Sequence, residues 1–159
     1  MASIWLGTIS SLGGVIIGAM ATYLTQKSTW KRTTRRELYG NLVGKSNVCR
    51  EQLLDVAFAM RWKLPEDELN DRWEKANAGM AEVSSLAAQV SMIATAGTRG
   101  AAEALEANLS DLRTELYRDN KNNNRPKSGQ EYRAAFNPVL RDFVVAASKE
   151  LRIAKTKGA

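Results

Sequence analysis

The stretch LVGKSNVCREQLLDVAFAM, residues 42–60, gives the clearest indication of the fold, because its apolar and small residues recur at alternating steps of four and three. The members of this stripe are Leu42, Ser46, Cys49, Leu53, Val56 and Met60. Such spacing places them on one face of an α-helix, whereas β-strands alternate at every second residue. The stretch therefore predicts a long helix, from about residue 30 to residue 62, that packs one face against other helices.

Two more helices are predicted next in the chain. Pro65 followed by Glu66 predicts a helix start, since proline suits the first helical position and acids suit the positive end of the helix dipole. This helix carries the stripe Leu69, Trp73, Ala76, Met80, Val83, Ala87, Val90 and Ala94. Gly97 is expected to end it and Thr98 to cap the following helix. That third helix carries Ala102, Leu105, Leu109, Leu112 and Leu116, and it is expected to end before a polar loop at residues 119–127.

A fourth helix is predicted from residue 128 onward. Ser128 and Glu131 have the spacing of a capping box, in which each side chain bonds the backbone N–H of the other residue. The apolar stripe behind it contains Tyr132, Phe136, Leu140, Phe143, Ala147, Leu151 and Ala154. Pro138 is expected to kink this helix or to split off its first turns. The fold prediction is all-α, an antiparallel bundle of about four helices.

The N-terminal segment differs from the bundle in composition. Residues 1–26 contain no charged side chain, and residues 4–24 are predominantly apolar. About 20 such residues, at a rise of about 1.5 Å each, span a hydrocarbon core of roughly 30 Å. The aromatic residues Trp5, Tyr23 and Trp30 stand where rings prefer the interface between lipid and water. We therefore predict a transmembrane anchor over residues 1–26.

Basic residues follow the predicted span and none precede it. They are Lys27, Lys31, Arg32, Arg35 and Arg36. By the positive-inside rule the N-terminus lies outside, and residues 27–159 form a cytoplasmic bundle with a basic start at the membrane surface. One alternative is a buried helix of a soluble domain. Another is a cleaved signal peptide with its site at residues 19–21, although such peptides carry their basic residues before the apolar run.

The small residues of the predicted span form a second stripe. They are Gly7, Ser11, Gly14, Gly18, Ala21 and Thr25. Small residues let helix backbones approach closely in lipid, and Gly14 and Gly18 form a GxxxG pair. The stripe predicts packing of the span against itself or against another membrane protein.

Composition restricts the chemistry of this chain. It has no histidine and a single cysteine, which excludes triads that depend on histidine, zinc fingers and an intramolecular disulfide. Gly40 to Ser46 resembles a phosphate-binding loop, but it is one residue short and lies inside a helical pattern. Acids cluster at 66, 67, 68 and 71, and a helix start explains the first three without a metal site. We predict no catalytic residue, metal site or cofactor.

The formal net charge of +6 indicates an anionic partner. For the basic cluster at residues 27–36 we expect contact with anionic lipid headgroups. Nucleic acid is the less favoured alternative, because the remaining basic residues are dispersed among acids and form no recognition motif. An unknown cytoplasmic protein is the expected partner of the bundle.

The segment from Gln26 to Tyr39, together with the Gly-rich span before it, resembles a layout found in uncharacterised bacterial and phage membrane proteins. In those proteins a single Gly-rich span runs into a basic helix. The resemblance covers about the first quarter of the chain. It implies a membrane-tethered helical domain of bacterial or phage origin, and it implies no activity.

These observations favour a non-enzymatic, membrane-anchored helical interaction or scaffold protein that associates through its span. A small pore-forming or membrane-disrupting effector of the toxin, lysis or defence type is the first alternative, since a face rich in Ser, Thr and Gly could line an oligomeric pore. A membrane tether for nucleic acid is the second. An enzyme that uses carboxylates alone is the least favoured class.

Overall fold

Four α-helices make up the computed structural model, which describes the backbone of residues 2–156 and the side chains of residues 30–153. They are α1 (Ala2–Trp62), α2 (Glu66–Ile93), α3 (Ala96–Lys121) and α4 (Gly129–Thr156), and no strand occurs in the described backbone. The all-α prediction is confirmed.

Helix α1 is a single helix of 61 residues. At about 1.5 Å per residue it extends roughly 90 Å. The stretch predicted as a membrane anchor and the first bundle helix therefore belong to one continuous helix. Where side chains are described, no helix combines the length and apolar character that crossing a membrane requires. The predicted span at residues 4–24 lies outside that part of the chain, as do the small-residue stripe, Trp5, Tyr23 and Lys27.

The bundle is antiparallel, and α1 and α3 form its central pair. Helix α1 packs against all three other helices, and α3 also packs against α2 and α4. The stripe predicted on α1 faces the core, where Leu42, Ser46, Cys49, Leu53 and Val56 are fully buried. Opposite them lie the predicted stripes of the other helices, including Val83, Leu109 and Phe143. The predicted helical faces are thus confirmed as the core of the bundle.

The turn between α2 and α3 lies earlier than the sequence predicts. Helix α2 ends at Ile93, and Thr95 takes the N-cap position of α3. Gly97 and Thr98 were predicted to mark the break but lie within the first turn of α3, and Thr98 is buried. Thr95 replaces Thr98 as the cap because its hydroxyl and N–H both meet a carboxylate of α4, Glu150.

Two further boundaries differ from the prediction. Helix α3 continues through Asp119 to Lys121, and the loop that follows is anchored by Pro126, which is buried. Helix α4 runs through Pro138 without splitting. Pro138 and Ala134 are both exposed, so water can solvate the Ala134 carbonyl that loses its helical partner. The kink at Pro138 stays a prediction.

The predicted capping box at the start of α4 is confirmed. The backbone N–H of Ser128 donates to Glu131 Oε2 at 2.7 Å, and the N–H of Glu131 donates to Ser128 Oγ at 3.3 Å. The start of α2 also follows the sequence, with Glu66, Asp67 and Glu68 in its first turn. Pro65 occupies the N-cap position, one residue before the position predicted for it.

Candidate functional site at the Arg35 end of the bundle

An ion pair joins α1 to α4 at the end of the bundle where α1 enters it. Arg35 Nη1 lies 3.1 Å from Glu150 Oε1, and Arg35 Nη2 donates to the Ile93 carbonyl at 2.6 Å. The second bond ties the same guanidinium to the last residue of α2. We call this region, where Arg35, Thr95 and Glu150 meet, the Arg35 end.

Glu150 is the most buried acid described in the chain, with 6% of its surface exposed. Its Oε2 accepts hydrogen bonds from the Thr95 N–H at 3.1 Å and the Thr95 hydroxyl at 2.9 Å. Burial on its own would raise the pKa of Glu150, but the hydroxyls of Thr98 and Thr95 and the backbone N–H of Thr95 beside the carboxylate lower that pKa below its ordinary value. Glu150 is therefore ionised at neutral pH.

The Glu150 carboxylate also supplies a negative charge at the N-terminus of α3. The first turn of α3 contains no acidic residue, so its positive dipole end lacks a negative partner from its own sequence. Glu150 reaches that position from α4. One side chain thus connects α1, the α2–α3 turn and α4.

An aromatic contact between α1 and α4 lies close to Glu150 in the fold. The rings of Tyr39 and Phe143 meet edge to face, with centroids 6.0 Å apart. Burial and the neighbouring charge of Glu150 raise the pKa of the Tyr39 hydroxyl, so Tyr39 remains neutral. At the Arg35 end, an ion pair and hydrogen bonds therefore join α1, the α2–α3 turn and α4.

A cavity of about 380 Å³ opens on the outer side of the joint. Its wall includes Arg35, Thr98, Lys149 and Ile153. Ile153 is 47% exposed, and two other large apolar side chains, next to this end in the sequence of α1 and α2, are also exposed: Met92 at 79% and Trp30 at 68%. Exposed apolar groups of this size at one end of a bundle are typical of a surface that contacts another molecule or a membrane.

Basic side chains surround these apolar groups. The three segments that meet here, residues 30–37, 92–99 and 146–153, contain seven basic and two acidic residues. Of the two acids, Glu150 is paired with Arg35 and Glu37 is exposed. The exposed basic residues are Lys31, Arg36, Arg99, Lys149 and Arg152. The rim of the Arg35 end is therefore strongly positive.

The predicted basic cluster divides into two groups in the structure. Lys31 and Arg36 are exposed, and Arg32 is half-buried beside a second cavity. Arg35 instead bonds within the bundle. Sequence reasoning missed Met92, Arg99, Lys149, Arg152 and Ile153 as members of the same surface. No local signal could have found them, because they come together only when α2, α3 and α4 pack.

The loop-like motif and the single cysteine of the sequence both lie within helix α1. Gly40 to Ser46 is helical throughout and forms no loop. Cys49 is buried, and burial raises the pKa of its thiol to about 11. Among the described side chains, no group of three or more acids or cysteines is arranged to hold a metal ion.

No protein-family model, curated protein or solved structure matches this chain.

Proposed function

We propose that this chain is a non-enzymatic, membrane-anchored helical interaction protein. In this proposal residues 1–26 form the membrane anchor, with residues 4–24 in the hydrocarbon core, and the bundle lies on the cytoplasmic side with its Arg35 end facing anionic headgroups. The span associates with itself through the stripe that contains Gly14 and Gly18. The bundle presents the rest of its surface to a protein partner.

The continuity of α1 is the observation that carries the proposal. Residues 2–62 form one helix, so a span at residues 4–24 would be joined to the bundle without a flexible linker. The bundle would then stand at a fixed distance from the bilayer. Helix α1 enters the bundle near Arg35, about 11 residues or roughly 17 Å beyond the end of the predicted span.

The charge and apolar character of the Arg35 end support the same orientation. Each basic group close to an anionic leaflet contributes on the order of 1 kcal/mol. Exposed Trp30, Met92 and Ile153 add apolar area on the same side. Long basic side chains such as Lys149 and Arg152 can reach headgroups from a bundle held a short distance away.

The test is the mass of the full chain in nanodiscs, beside the variant Gly14→Ile/Gly18→Ile. We expect a defined oligomer that becomes monomeric in the variant, because two isoleucines prevent close helix approach. Gly13→Ile, the same substitution on a helix face outside the stripe, is the matched control. A monomer for the unmodified chain, or an oligomer unchanged in the double variant, would contradict self-association through this stripe.

Two additional measurements distinguish the alternatives. Membrane depolarisation on expression, lost in the same Gly14→Ile/Gly18→Ile variant, would favour a pore. Salt-dependent binding of duplex DNA or RNA to the full chain in neutral-lipid nanodiscs would favour a nucleic-acid tether. Extraction of the chain from membranes by alkaline carbonate would contradict the anchor itself.

A further inference from the structure

A groove of about 540 Å³ runs between α2 and α3, in the half of the bundle remote from the Arg35 end. Its lining consists of Asn70, Trp73, Asn77, Arg113, Thr114, Tyr117 and Asn120. This volume lies in the range of ligand sites in proteins. None of these residues takes part in the joint at the Arg35 end.

Arg113 is the charged group of the groove. It is half-buried, and within residues 30–153 it makes no hydrogen bond and no ion pair. Two other half-buried arginines of the bundle, Arg35 and Arg50, are paired with Glu150 and Glu51. A guanidinium matches a carboxylate with two parallel hydrogen bonds. The groove therefore offers a carboxylate site that no described acid of the chain fills.

Three amides line the same groove. Asn70 and Asn77 lie two turns apart on α2, about 10 Å along the helix axis, and Asn120 lies across from them on α3. Their side-chain amides make no hydrogen bond within the described part of the bundle. Each offers one acceptor and a donor pair, which matches the N–H and C=O groups of a peptide backbone.

An aromatic pair forms the apolar wall. The rings of Trp73 and Tyr117 are 6.3 Å apart, centroid to centroid, at 75°. Tyr117 is 65% exposed, so its ring can contact a ligand without rearrangement of the core. Aromatic side chains of this kind act as anchors in protein interfaces.

We propose that this groove binds an acidic peptide of a protein partner. A carboxylate of the peptide pairs with Arg113, a neighbouring apolar side chain packs on Trp73 and Tyr117, and the asparagines bond the peptide backbone. The distance from Asn70 to Asn77 matches about three residues of extended chain. The inference rests on the proposed function in one respect, which is that the bundle is a protein-binding module.

The test uses the full chain in nanodiscs of neutral lipid and three fluorescein-labelled peptides. The first is Gly-Ser-Phe-Asp-Phe-Asp-Phe-Gly-Ser, and the others replace both aspartates by asparagine or by lysine. We expect the aspartate peptide to bind at least about tenfold more tightly than the asparagine peptide and the lysine peptide not to bind, since the carboxylate pairs with a guanidinium. Equal affinity for the aspartate and asparagine peptides would overturn the proposal, as would no measurable binding of the aspartate peptide.

Variants locate the binding. Arg113→Gln and Tyr117→Ser should each lower the affinity for the aspartate peptide about tenfold or more, as expected for interface anchors. Arg118→Gln, an exposed change on α3 outside the groove lining, is the matched control and should leave affinity unchanged. Undiminished binding in Arg113→Gln would overturn the site.

The experiment also separates this inference from the proposed function. Displacement of the peptide by an equal concentration of sodium benzoate would assign the groove to a small aromatic carboxylate instead. Incorporation into nanodiscs and oligomer mass are read in the same samples. Normal incorporation without peptide binding would overturn the groove alone, whereas failed incorporation would overturn the membrane anchor.

Discussion

Glu150, near the end of α4, caps the first turn of α3 by accepting a hydrogen bond from the Thr95 N–H at 3.1 Å. The two residues are 55 positions apart in sequence. The Thr95 hydroxyl bonds the same carboxylate oxygen and makes no cap bond to its own helix. Helix α3 therefore depends on α4 for its N-terminal capping, and Arg35 fixes the carboxylate from α1.

Glu150 should make the stability of the unmodified chain depend on pH, and its replacement by glutamine should remove that contribution. Because the pKa of Glu150 is lowered in the folded state, its stabilising effect is present above its ordinary pKa and is lost as pH falls through the lowered value. Glu150→Gln should reduce the free energy of unfolding by about 2 to 3 kcal/mol at neutral pH, and by less at about pH 3. Urea titrations of the full chain in mild detergent measure both values. Asp142→Asn, an exposed acid on the same helix, should have little effect at either pH.

Ser46 places a hydroxyl in the core without a hydrogen-bond partner among the described residues. Burial of an unpaired polar group costs free energy, and alanine is the better helix former. Ser46→Ala should therefore raise the free energy of unfolding by about 1 kcal/mol. Ser148→Ala, at an exposed position inside α4, isolates the contribution of helix propensity. A loss of stability in Ser46→Ala would mean that the hydroxyl is satisfied in solution.

Two helical glycines should respond to substitution in opposite directions. A Cβ at Gly44 would meet nothing within 4 Å, so Gly44→Ala should stabilise the bundle by about 0.5 to 1 kcal/mol through reduced backbone entropy in the unfolded chain. At Gly79 a Cβ would displace only the flexible end of Gln52 and lie 3.4 Å from Cys49 Cβ, so a larger side chain is needed to disturb the contact between α1 and α2. Gly79→Leu should therefore destabilise the bundle by roughly 2 kcal/mol. The same denaturant titrations measure the change in the free energy of unfolding for both variants. A change of the same sign in both would contradict the close packing of α1 on α2.

The labelling rate of Cys49, the single cysteine, measures how well the core is closed to solvent. Burial raises the pKa of Cys49 to about 11, compared with an ordinary value of 9.0. Since only the thiolate reacts, labelling with a disulfide reagent near pH 8 should be about a hundredfold slower in the folded chain than in denaturant. Gly79→Leu should accelerate labelling, because Gly79 lies beside Cys49. Rapid labelling of the folded chain would place Cys49 outside the core.

Sequence periodicity was a reliable guide wherever a helix buries one face. The stripe from Leu42 to Met60, the start of α2 and the Ser128–Glu131 box all depend on residues within one or two turns of one another. Such features are local, so spacing alone predicts them. The predicted turn at Gly97 was wrong because a competing cap at Thr95 receives its partner from a distant helix.

The amino-acid sequence determined the helical class, the buried faces and the absence of histidine chemistry, because each follows from residue types or from short-range spacing. Packing determined the rest. Arg35 and Ile93 are 58 residues apart, and their contact exists only because α1 and α2 fold back on one another. The positive rim of the Arg35 end and the groove at Arg113 also combine side chains from different helices. Such surfaces have no sequence period, since the bundle topology alone brings their residues together.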